Sequence, residues 1–147
     1  MRAGDSRYID EAKDHLKFIN CALDIEQDYM LKSKRTDIAF KWFIATDSNK
    51  IRKFLFENYR EKSFTSNGTL GHTDSGGIGF RRAVLDVELL SKCDEVIVTS
   101  GSTFGWLAAM KTLKMPYYVS GSSDKMMKCL REDMRRISAN QFGAASF

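Results

Sequence analysis

Three short apolar runs, each breaking off into hydroxyl-bearing residues and each followed by a segment of helical period, constrain this chain more than any other feature. They are "IAFKWFIATDS" at 38–48, "EVIVTSGS" at 95–102 and "PYYVSGSS" at 116–123. A short, nearly continuous apolar run bounded by polar turns is the pattern of a strand buried on both faces. After the first run, Ile51, Phe54, Leu55 and Tyr59 share one face of a helix over "SNKIRKFLFENYREK", with Asp47 or Ser48 as its cap. The second run leads into a helix over about 103–113, and the third into "SDKMMKCLREDMRRI", which reads as a Met-rich amphipathic helix.

The rest of the chain fills in the same alternation. Ile9, Ala12, Leu16, Ile19 and Leu23 recur at near-helical spacing over about 8–31. "SFTSNG" reads as a short strand, the Gly-rich "GTLGHTDSGGIG" as a loop, and "FRRAVLDVELLSKC" as a helix with Val84, Val87 and Leu89 or Leu90 inward. The final "SANQFGAASF" reads as a loose tail. Strands alternating with helices of ten or more residues imply βα units and a mainly parallel sheet. The expectation is one three-layer, Rossmann-like α/β domain over 1–147, half of a doubly wound protein.

Composition narrows the classes of function. A chain of 147 residues, 43% hydrophobic and 29% charged, with a single proline, is globular rather than disordered. No apolar run approaches the roughly 20 residues that a spanning helix needs. The net charge is +4, but basic and acidic residues interleave along the chain, which makes a mixed surface and argues against nucleic acid as a partner. "MRAGDSRYID" has no apolar core of a signal segment. Cys21, Cys93 and Cys129 are odd in number and widely spaced, so buried free thiols are the expectation, with no CxxC pair for a metal.

In open α/β sheets ligands bind beyond the carboxyl ends of strands. Of the three polar strand ends, "TSGSTFG" carries the most. Gly101 permits a tight turn beside a ligand, and Ser102 and Thr103 bring hydroxyl and backbone N–H donors to a helix start, the groups a phosphate needs. The same residues serve equally as helix caps. Asp86, in "AVLDVELL", lies on the solvent edge of its helix or aims at a ligand, where its carboxylate could accept from a guanine edge. His72, in the Gly-rich loop, is exposed or closes over a substrate. Arg81 and Arg82 read as surface residues, with at most one meeting a phosphate, and Asp47 as an N-cap first and a ligand contact second. His15 reads as a helix-packing or exposed residue. No Walker loop, H-E-x-x-H motif or nucleophile elbow is present.

Together these pieces resemble the GDP-fucose-dependent fucosyltransferases of the GT-B type, the superfamily of the α1,2-, α1,6- and plant xyloglucan enzymes. "LDVELLSKCDEVIVTSGSTFGWLAAM" is similar to that superfamily's helix with a characteristic Asp, strand ending in Thr, and Ser/Gly-Thr-Phe-Gly turn, with Asp86, Thr99, Ser102, Thr103, Phe104 and Gly105 at the family spacing. "FIATDSNKIRKFL" resembles its strand followed by an acidic turn and a helix. "MRAGDSRYIDEAKDHL" looks like its HxRRxD loop without the histidine, with Arg2 as the first Arg, Asp5 as the closing Asp and Ala3 in place of the second Arg.

The resemblance implies a donor-binding domain, a piece of a longer transferase lacking the strand before Arg2. It takes GDP-fucose as donor substrate and a glycan as acceptor, with neither cofactor nor metal. Arg2 is then the catalytic cation. Asp86 reads guanine, and Thr99, Ser100, Gly101, Ser102, Thr103 and Phe104 line the donor site, with Asp47 and His72 near it. It further implies the Golgi lumen for a eukaryotic full-length relative and the cytoplasm otherwise. The rival expectation is a non-catalytic nucleotide-binding or interaction module on the same fold.

Overall fold

Short strands separated by helices make up the chain, seen in a computed structural model that describes residues 2–3, 11–66, 77–99, 102–119 and 129–131. In order these are β1 (Arg2–Ala3), α1 (Glu11–Ser33), β2 (Trp42–Phe43), β3 (Ala45–Thr46), α2 (Asn49–Asn58), β4 (Ser63–Phe64), α3 (Gly77–Leu90), β5 (Ile97–Thr99), α4 (Thr103–Thr112), β6 (Tyr117–Val119) and β7 (Leu130–Arg131). The class is α/β, as the alternation predicts, and the pairing is mostly parallel. β1 runs parallel to β3 with Arg2 opposite Ala45, β2 to β4 with Trp42 opposite Ser63, and β5 to β6 with Ile97 opposite Tyr117. β7 pairs antiparallel with β6. β2 and β3 are one extended stretch: its Trp42 and Ile44 amides donate to Lys62 and Phe64 carbonyls beside β4, while its later half pairs with β1. β1 in turn lies alongside β5.

Alternation along the strands sorts the core into two sets. Trp42, Ile44, Ile97 and Val119 pack with Phe18, Ile19, Cys21 and Ala22 of α1 and Ile51 and Leu55 of α2. Phe43 and Ala45 pack with Val87 and Leu90 of α3 and Ala108 of α4, and Val96 and Val98 with Ala109 of α4. Successive side chains of a strand point to opposite sides, so both sides of these strands are covered by helices. Each fully buried Leu, Ile, Val or Phe stabilises the fold by about 1.5–3 kcal/mol.

One polar group enters the first of these clusters with its needs met. Glu26 of α1 is buried, accepts from Trp42 Nε1 at 2.7 Å through Oε1 and from Lys62 Nζ at 2.6 Å through Oε2. The Lys62 ammonium also lies 5.2 Å from the centre of the Trp42 ring. Ser63 is the contrast: it is buried, and its Oγ has no partner among the described residues.

Five expectations need correction. The strand expected over 38–48 begins only at Trp42, whose amide makes the first bond to the β4 segment, and Ala39 and Lys41 before it are exposed. On α1 Ile19 is buried as expected, but the rest of the inward stripe is Phe18, Cys21, Ala22, Ile25 and Glu26, leaving Leu16 and Leu23 exposed. On α3, Val87 and Leu90 face inward as expected but Val84 is 47% exposed, because the helix turns Arg82 and Asp86 to the interior instead. Leu130 and Arg131, expected in a helix over 123–137, form strand β7, since the open edge of β6 offers them ladder partners; the rest of that segment lies outside the described residues. Cys21 and Cys129, expected as free thiols, are joined in a disulfide, their Cα atoms 4.9 Å apart. Their separation of 108 residues in sequence hides that proximity.

Cys93 is free and half-buried, and burial pushes its thiol above the usual pKa. Thiolate is the reactive form, so Cys93 should alkylate more slowly with iodoacetamide at neutral pH than an unhindered cysteine, and accelerate as pH rises past the ordinary thiol range. A second expectation concerns the buried polar groups. Glu26→Ala strands the Trp42 indole N–H and should cost about 1–3 kcal/mol, whereas Ser63→Ala removes an unpaired hydroxyl and should cost nothing or stabilise by up to about 1 kcal/mol. Urea denaturation midpoints at unchanged slope measure both.

Candidate functional site

Hydroxyls buried at the carboxyl ends of three strands mark the candidate site. Thr46 ends β3 and Ser48 follows it, Ser66 lies just after β4, and Thr99 and Ser102 end and follow β5; all are buried, Ser102 to 1% exposure. A buried hydroxyl costs stability unless it is hydrogen-bonded, and the local turns supply the bonds. Thr46 Oγ1 accepts from the Ser48 amide at 3.1 Å, and Ser48 Oγ accepts from the Ile51 amide at 3.4 Å as the N-cap of α2. After β5 the same device recurs. The Ser102 amide donates to the Thr99 carbonyl at 3.1 Å, and Ser102 Oγ accepts from the Gly105 amide at 3.4 Å as the N-cap of α4. In both turns an extended serine gives its oxygen to the third N–H of the helix, as N-caps do.

Gly105 fixes how closely α4 approaches β5. A Cβ built there would stand 2.7 Å from Val98 Cγ1 and 2.9 Å from Val98 Cβ. Only a residue without a Cβ lets the first turn of α4 lie on the strand at this distance, so the Ser102 turn is anchored by backbone packing.

A second polar group is buried beside β4. Ser66 Oγ donates to Asp86 Oδ1, Arg82 Nε pairs with Asp86 Oδ2 at 3.6 Å, and Arg82 Nη2 lies 3.4 Å from Thr65 Oγ1. Thr65 Oγ1 itself donates to the Ile44 carbonyl at 2.8 Å, tying the group to the central strand. Arg82 and Asp86 are four residues apart on α3 and both more than nine-tenths buried. Of the two placements open to Asp86 the solvent edge is therefore excluded, and Arg82, expected at the surface, is buried. The pair goes inside because each charge finds the other and a hydroxyl, which offsets desolvation.

The residues expected to act fall in several places. Arg2 is in β1, paired with β3, rather than in a loop. Thr99 and Ser102 meet at the end of β5, Thr103 is exposed in the first turn of α4, and Phe104 is half-buried against Phe43, Val87 and Leu90. Asp47 is half-buried between Thr46 and Ser48; of the two candidate caps, Ser48 takes the position and accepts from the Ile51 amide. Ser100, Gly101 and His72 lie outside the described residues. His15 packs edge-on to Phe54 with ring centres 4.5 Å apart, a helix-packing role as expected. Thr46, Ser66 and Arg82 join the polar set without having been singled out as site residues. The signal for the first two was present, since a hydroxyl residue follows each strand.

A groove of about 660 Å³ is lined by Tyr29, Phe40, Trp42, Phe64, Lys92 and Lys114 among others. It shares no residue with the hydroxyl-rich ends. No protein-family model matches the chain, and neither the curated proteins nor the solved structures contain a match.

Two substitutions test what holds the α4 start. Gly105→Ala should destabilise by about 1–3 kcal/mol through overpacking against Val98. Adding Val98→Ala should return part of that loss, so the pair is less than additive. Ser102→Ala should cost about 1 kcal/mol as a lost cap. Thermal or urea melts of the single and double variants give all three values.

Proposed function

We propose that the chain is a three-layer, Rossmann-like α/β domain, one half of a GT-B architecture, that binds a guanine nucleotide sugar as the donor domain of a GDP-fucose-dependent fucosyltransferase. The observation that carries the reading is a juxtaposition. With β2 and β3 taken as one strand, the neighbours run β4, β2/β3, β1, β5, β6, β7, so that chain order reverses between β1 and β5. In doubly wound sheets a nucleotide binds at the carboxyl ends flanking such a reversal. Those ends are Ala3, next to Arg2, and Thr99, next to the Ser102 cap. They belong to two of the three stretches that carry the family resemblance.

In this reading the departing GDP β-phosphate gains negative charge as the fucosyl bond breaks, and donors fixed beforehand stabilise it. Arg2 supplies a guanidinium, and the start of α4 supplies backbone N–H groups with a partial charge of roughly +0.5. Thr103, exposed in that first turn, offers a hydroxyl to the phosphate, and the acceptor glycan is presented from the open side of the strand ends. Asp86 distinguishes guanine from other bases. The second reading, a nucleotide-binding module without turnover, is favoured by one observation: Ser66 and Arg82 already hold the Asp86 carboxylate within the fold.

Calorimetric titration of the purified chain with GDP, UDP and ADP tests the proposal. GDP should bind at least about ten-fold more tightly than the other two, and Asp86→Asn should erase the preference. Equal affinity for all three, or none for any, ends the reading. GDP selectivity without release of GDP from GDP-fucose in the presence of glycan acceptors selects the second reading.

A further inference from the structure

The disulfide joins the core-facing stripe of α1 to the start of β7. Cys21 is 2% exposed in the core-facing stripe of α1, and Cys129 immediately precedes β7. α1 does not need the bond, since Phe18, Ile19 and Ala22 are buried beside Cys21 in the first core cluster. β7 is different. Among the described residues it is two residues long and meets β6 at Tyr117↔Arg131 and Tyr118↔Leu130. Beyond the ladder, Arg131 pairs with Glu95 and lies 4.7 Å from the centre of the Tyr117 ring, both at partly exposed positions. So short a strand gains little from its ladder against the entropy of ordering the chain.

We propose that the Cys21–Cys129 bond is a redox latch for β7. Oxidised, it holds β7 over the edge of β6; reduced, it lets β7 leave and opens that edge. The chemistry is thiol–disulfide exchange. Two Cys thiols give up two protons and two electrons to an oxidised small-molecule disulfide, which leaves as two thiols, and an excess of reduced thiol reverses the step. Cys129 is half-buried and Cys21 buried, so attack on the Cys129 sulfur is the open route. The closed latch belongs to an oxidising compartment.

What opens is defined by the ladder. The Tyr117 amide donates to the Val96 carbonyl of the β5 segment at 2.9 Å, so the next amide, of Tyr118, points to β7. Loss of β7 leaves the Tyr118 N–H unpaired on a strand edge, a template for pairing with another chain. The bond to β5 is untouched.

The test uses the full chain. Free thiols are alkylated in denaturant without reductant, and the digest is searched for a peptide linking Cys21 to Cys129 with Cys93 alkylated. Amide hydrogen exchange is then followed in oxidised and reduced glutathione buffers. Reduction should speed the Tyr118 amide about ten-fold or more while Tyr117, Trp42, Ile44 and Val98 stay within about two-fold. Cys21→Ser should behave as the reduced chain in either buffer, and Cys93→Ser as the unaltered one. Absence of the linked peptide after oxidation, an unmoved Tyr118 amide, or a uniform rise across the strands would each overturn the latch, the last by making the bond a staple of the whole domain.

Discussion

Trp42 and Ile44 point one way from their strand and Phe43 and Ala45 the other, so neither side can be left to water and each is covered by helices. Val96 to Thr99 repeats the constraint in β5, with Ile97 on the α1 side and Val96 and Val98 on the α4 side. Once both sides are apolar, polar side chains on these segments can reach hydrogen-bond partners only at the strand ends, where the backbone turns and helix starts present N–H groups without acceptors. The buried hydroxyls of Thr46, Ser48, Ser66, Thr99 and Ser102 follow from that geometry. A candidate ligand site at the carboxyl ends thus arises from the same packing rule that builds the core.

The Glu26 and Asp86 groups show how charges are admitted to such an interior. Glu26 sits between an indole N–H and an ammonium whose side chain is still 38% exposed, so one partner keeps its hydration. Asp86 differs: Arg82 and Ser66, which hold it, are buried with it. Removing one member of a fully buried set leaves an uncompensated charge, which makes the second group the stiffer and more demanding of the two. Its ties to Thr65 and, through it, to the Ile44 carbonyl hold the end of β4 in line with β2.

Sequence reading recovers the order of helices and strands from α1 to β6 and the starts of α2 and α4 because caps and apolar runs are local. It fails where partners distant in sequence decide. Periodicity on α3 favours Val84 inward and Asp86 outward, yet Ser66, twenty residues away, supplies the hydrogen bond that turns the carboxylate in. The helix expected around Leu130 is a sound local reading of an amphipathic segment, overridden at Leu130 and Arg131 by an open strand edge. Cys21 and Cys129 carry no spacing signature at a separation of 108 residues, so only the packing of α1 beside β6 brings them together. In each case the local preference is weak, worth tenths of a kcal/mol per residue, and a long-range contact exceeds it.

The hydroxyls of the Ser102 turn left cap and phosphate cradle as equal readings of the sequence, and the observed bond from the Gly105 amide to Ser102 Oγ makes the residue a cap. That does not exclude the other role, because the two use different groups. A helix start carries four N–H groups without intrahelical acceptors; here the Ser102 amide donates to the Thr99 carbonyl and the Gly105 amide to the serine cap. An anion at the same turn draws on the remaining N–H groups and on the axial dipole, neither of which the cap consumes. Anion binding at such a turn demands instead that the turn not move when charge arrives. Gly105 meets that demand by seating α4 directly on Val98, where no side chain is interposed to flex. The residue that most constrains the candidate site is therefore one with no functional group at all.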